Sequence, residues 1–137
     1  MAQMHDAIRS ALRRLWMRSH VRRNYINARR YKAPIGHNGR EVWAADCEQC
    51  GEVGRIGKGG TIHVDHKTPV GPAPGSKNAT KDTTWDGVIQ RMLYVTEKDL
   101  QLLCVRCHSV KTKKDKARKK LAAPLAQRAA TSKRRKK

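Results

Sequence analysis

The amino-acid sequence predicts a small α+β domain that is stabilised by a metal ion bound to four cysteines. A basic helix precedes this domain and a basic tail follows it. Three observations support this prediction. The chain has 137 residues, of which 38% are hydrophobic and none is Phe, and its formal net charge is +20. Its four cysteines form two Cys-x2-Cys pairs, Cys47 with Cys50 and Cys104 with Cys107. A core this small usually needs a staple, and four thiolates from two such pairs can surround one tetrahedral Zn²⁺.

Two disulfides in a secreted protein are the alternative use of the four cysteines. The residues that follow Met1 include Gln3, His5 and Asp6 and form no apolar signal segment. We therefore expect a reduced, cytoplasmic setting and a structural zinc. No apolar run reaches transmembrane length, so no membrane span is expected.

The net charge of +20 favours a polyanionic partner, and nucleic acid is the commonest one. The basic segments lack the Leu-, Phe- and Trp-rich faces that insert into lipid, which argues against a membrane surface. On composition alone, ribosomal-type proteins are a competing class.

Residues 1–32 are predicted to form a basic amphipathic helix, continuous from residue 4 to about residue 30. Its apolar stripe, which Ile26 could extend, consists of Ile8, Leu12, Leu15 and Trp16. Arginines occupy much of the remaining surface, several of them four apart, where like charges repel on an isolated helix. Bound phosphates would relieve this repulsion, so Arg9, Arg13 and Arg18 are predicted nucleic-acid contacts. A solvated charged face is the alternative.

The segment that leads into the first cysteine pair is predicted to contain a turn and a strand. Asn38-Gly39 supplies the positive φ angles of a tight hairpin turn, and a short strand should follow from Arg40 to Ala45. Trp43 in this strand is expected to pack in the core beside the zinc. Gly51 permits the backbone turn that brings the first two sulfurs to one ion, and residues 54–60 are expected to form a flexible basic loop.

The segment Thr61 to Asp65 is a short run of strand-forming residues. Alternation puts His63 and Asp65 on one face and Val64 and His66 on the other, although a strand that ends here can turn His66 back towards a cleft.

The rest of the chain up to about Lys120 is predicted to contain a loop, a short helix, a turn and a longer helix. A polar loop should span residues 67–83, and Thr84 should cap a short helix. Residues 96–99 form a further turn, and a helix is expected from about Val105 through Thr112 towards Lys120. The basic residues of 121–137 have no pattern that could bury a core, so a disordered tail is expected there.

Two stretches together resemble a known family. His63-Val64-Asp65-His66, followed after a gap by the run from Leu100 to Thr112, is similar to the motif of the HNH nucleases, the ββα-metal or His-Me finger group. The zinc-stapled branch of that family, common in bacteriophage genomes, has the same two cysteine pairs. The resemblance covers roughly Val42 to Thr112 and implies that residues 40–120 form an HNH nuclease domain with the ββα-metal fold.

The resemblance implies a metal-dependent DNA endonuclease that hydrolyses phosphodiester bonds. A neutral imidazole can take a proton from water near neutral pH, so His66 is the predicted general base. Asp65 and His108 are the predicted ligands of a catalytic divalent cation, for which Mg²⁺, Mn²⁺ or Ni²⁺ would serve. Further nucleic-acid contacts are predicted on the last helix, at Lys111, Lys113 and Lys114.

Asp99 departs from the family pattern. Family members usually carry Asn at this position, and its side chain hydrogen-bonds backbone groups to steady the loop of the catalytic base. An ionised aspartate accepts hydrogen bonds but cannot donate them. We therefore expect half of this restraint to be missing.

The partners expected from this resemblance are DNA and phage packaging proteins, in the cytoplasm of a bacterial host and near its nucleoid if the chain is phage-encoded. A non-catalytic, zinc-stapled nucleic-acid-binding protein is the alternative function. A bacteriocin-like nuclease toxin is disfavoured because no receptor-binding or translocation segment is evident. Homing, packaging and restriction all stay open as biological roles, as do single-strand nicking and double-strand cleavage.

Overall fold

A computed structural model of the protein describes residues 2–122, apart from the side chains of Lys119 and Ala122. The predicted tail, residues 121–137, lies outside the described residues from residue 123 onward. The described part is a small α+β fold with four α-helices and two antiparallel sheets. The helices are α1 (Ala2–Met17), α2 (His20–Arg29), α3 (Trp85–Met92) and α4 (Val105–Ala122). The strands are β1 (Tyr31–Ala33), β2 (Val42–Asp46), β3 (Val53–Arg55), β4 (Ile62–His66) and β5 (Leu100–Cys104).

The prediction of one continuous N-terminal helix is wrong, because the helix is interrupted between Met17, the last residue of α1, and His20, the first residue of α2. Ser19 is the N-cap of α2, and its hydroxyl accepts a hydrogen bond from the Arg22 N–H at 3.5 Å. A serine at such a position favours a new helix start over a helix interior. Leu12 of α1 packs with Val88 of α3, and Tyr25 of α2 enters the main core, against which Trp16 at the end of α1 also packs.

The apolar stripe of α1 is narrower than predicted. Ile8, Leu12 and Trp16, spaced by four residues, pack against the two core clusters, while Leu15 is 56% exposed. A spacing of four keeps residues on one line along the helix, whereas Leu15 lies to the side of that line.

The first sheet has the strand order β1-β2-β3. Asn38 and Gly39, in the β1–β2 connection, have the predicted positive φ angles of 55° and 72°. The prediction that residues 54–60 form a loop is wrong for its first part, because Gly54 and Arg55 belong to β3 and pair with β2. Gly54 lies so close to the side chain of Thr61 that an added Cβ would clash with it.

Trp43 does not pack in the core, contrary to the prediction. The residue is 39% exposed, and the register places it opposite Lys32 of β1. Cross-strand partners share a face of the sheet, and the Lys32 ammonium lies 4.4 Å from the Trp43 ring centroid. The Arg30 guanidinium lies 4.0 Å from the same centroid. Trp43 therefore makes cation–π contacts at the surface.

The second sheet pairs β4 with β5 in antiparallel register from Ile62↔Cys104 to His66↔Leu100, and α4 begins directly after β5. The core between this sheet, β2 and α2 consists of Tyr25, Ala45, Cys47, Ile56, Ile62, Leu100, Leu102, Leu103 and Cys104. Burial of these apolar side chains fixes the positions of β4, β5 and the start of α4.

The segment between β4 and β5 follows the prediction. Residues 67–83 contain no helix or strand, and the Thr84 hydroxyl caps α3 by accepting the Gly87 N–H at 3.1 Å. Within residues 2–122, none of the helices is long and apolar enough to cross a membrane.

Candidate functional site

The four cysteines lie together at the junction of the two sheets. Their sulfur atoms all lie within 4.8 Å of one another, and all four are free thiols. The sulfurs of Cys50 and Cys104 are 3.8 Å apart. Four sulfurs that bind one tetrahedral zinc at about 2.3 Å are separated by about 3.8 Å. The cluster is therefore close enough to hold one metal ion, and its donor set fits zinc.

Local hydrogen bonds shape the two cysteine pairs. Gly51 has a φ of 78°, and its N–H donates to the Cys47 carbonyl at 2.8 Å, which closes the first turn as predicted. At the start of α4 the Cys107 N–H donates to the Cys104 sulfur at 3.4 Å.

Ionisation of the thiols is uneven. Burial opposes ionisation of Cys47, but main-chain N–H groups around its sulfur prevail and lower its pKa to about 6. Desolvation and hydrogen bonds with the neighbouring thiols raise the pKa of Cys107 to about 12. A bound cation would offset this raised pKa and favour the thiolate of Cys107 beside that of Cys47.

Asp65 is the centre of a second polar cluster, built by β4, β5 and α4. Its Oδ1 lies 3.5 Å from Nε2 of His108. Its Oδ2 accepts a hydrogen bond at 3.0 Å from Nε2 of Gln101, its cross-strand partner, and lies 3.1 Å from Nζ of Lys111. The Asp65 side chain is 15% exposed. The carboxylate is therefore oriented by Gln101 and Lys111 on one oxygen, and its other oxygen faces His108.

The imidazole of His66 is held by the two helices that flank the end of β4. Its Nε2 lies 3.0 Å from the carbonyl oxygen of Met92 in α3. A carbonyl only accepts hydrogen bonds, so Nε2 donates here, and Nδ1 is the ring nitrogen left to accept a proton. The ring packs against Trp16 of α1 with 4.4 Å between centroids.

Asp65 and His66 point to different partners, as strand alternation predicts, yet both line one open cleft of about 260 Å³. The other residues that line it are Pro69, Val70, Lys111, Thr112, Asp115 and Lys116. His108 adjoins this cleft through its contact with Asp65. His63 is exposed on the same strand.

Asp99 steadies the end of the loop through two different groups. Its carboxylate accepts hydrogen bonds from the Thr96 N–H at 2.8 Å and from the Thr96 hydroxyl at 3.1 Å. These hydrogen bonds lower the pKa of Asp99 below its ordinary value. Its main-chain carbonyl accepts the Lys67 N–H at 2.8 Å. The carboxylate thus acts only as an acceptor, and the residue after His66 is held by the Asp99 main chain.

Asp115 was not predicted from the sequence to be part of the site. Its Oδ2 lies 3.0 Å from Nζ of Lys111, one turn earlier on α4. The spacing of four between a lysine and an aspartate was the available signal. Trp16 and Met92, which hold His66, have no comparable signal, because both contacts depend on tertiary packing.

The predicted nucleic-acid contacts fall into two groups. Four are exposed: Arg13, Arg18, Lys113 and Lys114. Arg9 forms an ion pair with Asp6 at 3.5 Å, and the Lys111 side chain, held between two carboxylates, is only 22% exposed. Lys111 is therefore less available to a phosphate than the sequence suggested.

Within residues 2–122, the cysteine quartet is the one group of three or more His, Cys, Asp or Glu ligand atoms close enough to share an ion. Asp65 and His108 form a two-ligand pair. Comparisons of the chain with protein-family models, with curated proteins and with solved structures find no match.

Proposed function

We propose that the protein is a metal-dependent endonuclease of the HNH type that hydrolyses phosphodiester bonds in DNA. The observation that carries this proposal is the 3.5 Å approach of Asp65 Oδ1 and His108 Nε2 beside the cleft that also contains His66. The order β4, β5, α4 within the proposed nuclease domain, residues 40–120, supports it, because β4 carries Asp65 and His66, β5 pairs with β4, and α4, which follows β5 directly, carries His108.

The pair formed by Asp65 and His108 fits a divalent cation. Ligand atoms 3.5 Å apart can share one ion, and a carboxylate oxygen with an imidazole nitrogen suits Mg²⁺, Mn²⁺ or Ni²⁺. Such a cation would neutralise charge on the non-bridging oxygens of the scissile phosphate. Two protein ligands leave room for phosphate oxygens, so we expect tighter binding of the cation when DNA is present.

His66 is the general base in this proposal. Its Nε2 proton is engaged by the Met92 carbonyl, so Nδ1 accepts the proton of a water in the cleft. The water oxygen then forms a bond to phosphorus while the bond to the 3′ oxygen breaks, and the departing oxygen takes a proton from solvent. Trp16 limits rotation of the imidazole and keeps Nδ1 in place.

The four-cysteine zinc has a structural role in this proposal, because four protein ligands leave no open position for water. DNA is the proposed substrate, since the exposed basic side chains of α1 and α4 match its backbone charge. The setting that we propose is the cytoplasm of a phage-infected bacterium, with phage packaging proteins as partners.

Plasmid nicking in Mg²⁺ or Mn²⁺ tests the proposal. We expect His66→Ala to reduce the cleavage rate by at least about 10²-fold, the usual contribution of a general base. His63→Ala is the matched control, because His63 lies three residues earlier on β4 and is exposed; it should cleave at nearly the wild-type rate. Equal cleavage by wild type and His66→Ala, or no cleavage with any divalent metal, would contradict the proposal.

A non-catalytic nucleic-acid-binding protein is the second candidate, favoured by the net charge of +20 and the exposed basic side chains. Filter binding of DNA by wild type and Asp65→Ala separates the two candidates. Binding without turnover, unchanged in Asp65→Ala, would support this second candidate.

A further inference from the structure

We propose that Lys111 competes with the divalent cation for Asp65, and that Asp115 limits this competition by sharing the Lys111 ammonium. The inference rests on the proposed function, because it concerns the cation affinity of the same Asp65–His108 pair. Asp115 is then a positioning residue, which acts on the candidate site through Lys111.

The contacts of Lys111 support the first step. Its Nζ lies 3.1 Å from Asp65 Oδ2 and 3.0 Å from Asp115 Oδ2. The side chains of Lys111, Asp65 and Asp115 are 22%, 15% and 18% exposed. Charges withdrawn from water in this way interact more strongly than an exposed surface pair. The ammonium is therefore a substantial part of the electrostatic environment of Asp65.

The orientation of the Asp65 carboxylate supports the second step. Gln101 and Lys111 share Oδ2, whereas Oδ1 faces His108. A divalent cation between Oδ1 and His108 would lie at one oxygen of the Asp65 carboxylate. Lys111 already neutralises the same carboxylate at its other oxygen. The two positive charges would repel each other across one small group, so Lys111 lowers the affinity of the pair for a cation.

Asp115 changes the balance of charge. Two carboxylates and one ammonium give this cluster a net charge of −1, which attracts a cation. Without Lys111 the net charge would be −2, and without Asp115 it would be zero. Asp115 also offers the ammonium a second partner, one turn along α4, when a cation engages Asp65. Removal of Lys111 should therefore tighten cation binding, and removal of Asp115 should weaken it.

Titration of the zinc-loaded protein with Mn²⁺ in the absence of nucleic acid tests this inference, with free Mn²⁺ measured by electron paramagnetic resonance. We expect Lys111→Met to bind Mn²⁺ about tenfold more tightly than wild type, and Asp115→Asn to bind it about tenfold more weakly. The double variant regains the net charge of −1 and should lie within about threefold of wild type.

Two control variants separate local from general charge effects. Lys116→Met removes one positive charge from the same helix and the same cleft, but Lys116 forms no ion pair with the described acidic residues. Asp86→Asn removes an exposed negative charge from α3. Both controls should stay within about twofold of wild type, and thermal melting checks that each variant is folded.

The inference is overturned if Lys111→Met binds Mn²⁺ no more tightly than Lys116→Met, or if wild type and Lys111→Met show no saturable binding. Wild-type affinity in a folded Asp115→Asn variant would overturn the role of Asp115. Plasmid nicking by the same samples distinguishes this failure from failure of the proposed function. If the protein nicks plasmid DNA but the variants bind Mn²⁺ with unaltered affinity, only the inference is overturned. If the affinities follow the expected order but no nicking occurs, only the nuclease proposal is overturned.

Discussion

The phenol of Tyr25 donates a hydrogen bond to the carboxylate of Glu48, and the same carboxylate oxygen accepts the main-chain N–H of Leu102. Glu48 lies between the first two cysteines, and its own N–H donates to the Leu102 carbonyl at 2.8 Å. Through this one side chain, α2 is joined to the first cysteine pair and to β5. The N-terminal segment is therefore connected to the part of the fold that surrounds the four-cysteine cluster.

Tyr25→Phe should destabilise the zinc-loaded protein. Tyr25 is 1% exposed, and the substitution removes a hydrogen bond to a charged group while it keeps the ring. We expect a loss of about 1.5–3 kcal/mol in the free energy of unfolding, measured by urea denaturation. Tyr94→Phe is the control, because Tyr94 is 73% exposed, and it should change the free energy by less than about 0.5 kcal/mol. Equal stabilities of the two variants would show that the Tyr25–Glu48 bond contributes nothing.

The stabilisation from Tyr25 should decrease at alkaline pH. Burial, the hydrogen bond to Glu48 and the negative charge of Glu48 raise the pKa of Tyr25 in the folded protein. Its contribution is therefore fully present below the pKa of tyrosine in the unfolded chain, about 10, and is lost as the pH rises above that value. The difference in unfolding free energy between wild type and Tyr25→Phe should be constant from pH 7 to pH 9 and smaller at pH 11. A difference that grows with pH would contradict the raised pKa.

Loss of the zinc should unfold the described domain. The free energy of zinc binding is part of the folding free energy when a small core depends on the metal. We expect one zinc per chain by elemental analysis, and loss of both zinc and the cooperative melting transition in Cys104→Ser or after chelation. Ser109→Ala, on the next turn of α4, should keep both. An unchanged melting curve after chelation would refute the structural role of the metal.

The exposed arginines of the N-terminal segment should contribute to the salt dependence of DNA binding. Each phosphate contact adds about 0.9 to the slope of log affinity against log salt concentration. The Arg13→Gln, Arg18→Gln double variant should therefore reduce this slope by about 2. Arg106→Gln serves as control, because Arg106 is already paired with Glu52 at 3.2 Å. A slope equal to that of wild type would remove this segment from the DNA-binding surface.

Local chemistry made much of the fold predictable. The spacing of the cysteines predicted the four-cysteine cluster, Thr84 marked the start of α3, and the turn at residues 96–99 lies where the sequence places it. The cap and the turn depend on residues within a few positions of one another, and the two cysteine pairs, although distant in sequence, are recognised by their Cys-x2-Cys spacing.

The features that the sequence did not reveal depend on distant partners. The interruption at Ser19 lets Leu12 of α1 pack with Val88 of α3 while Tyr25 of α2 enters the main core, and these distant contacts are invisible in the apolar pattern. Trp43 is exposed because its cross-strand partner is Lys32, and register cannot be determined from a three-residue strand such as β1. Lys111 lies between Asp65 and Asp115 only once β4 is paired with β5 and α4 follows.

His108 follows immediately after a cysteine of the metal cluster, at the beginning of α4. A reagent such as EDTA would therefore remove the candidate hydrolytic ion and also release the anchor of the helix that carries His108. Inactivation by EDTA would arise from two separate events in the same assay. Restoring activity would require one equivalent of Zn²⁺ before Mg²⁺ or Mn²⁺ is added. The order of addition would therefore distinguish the ion of the four-cysteine site from the ion of the Asp65–His108 pair.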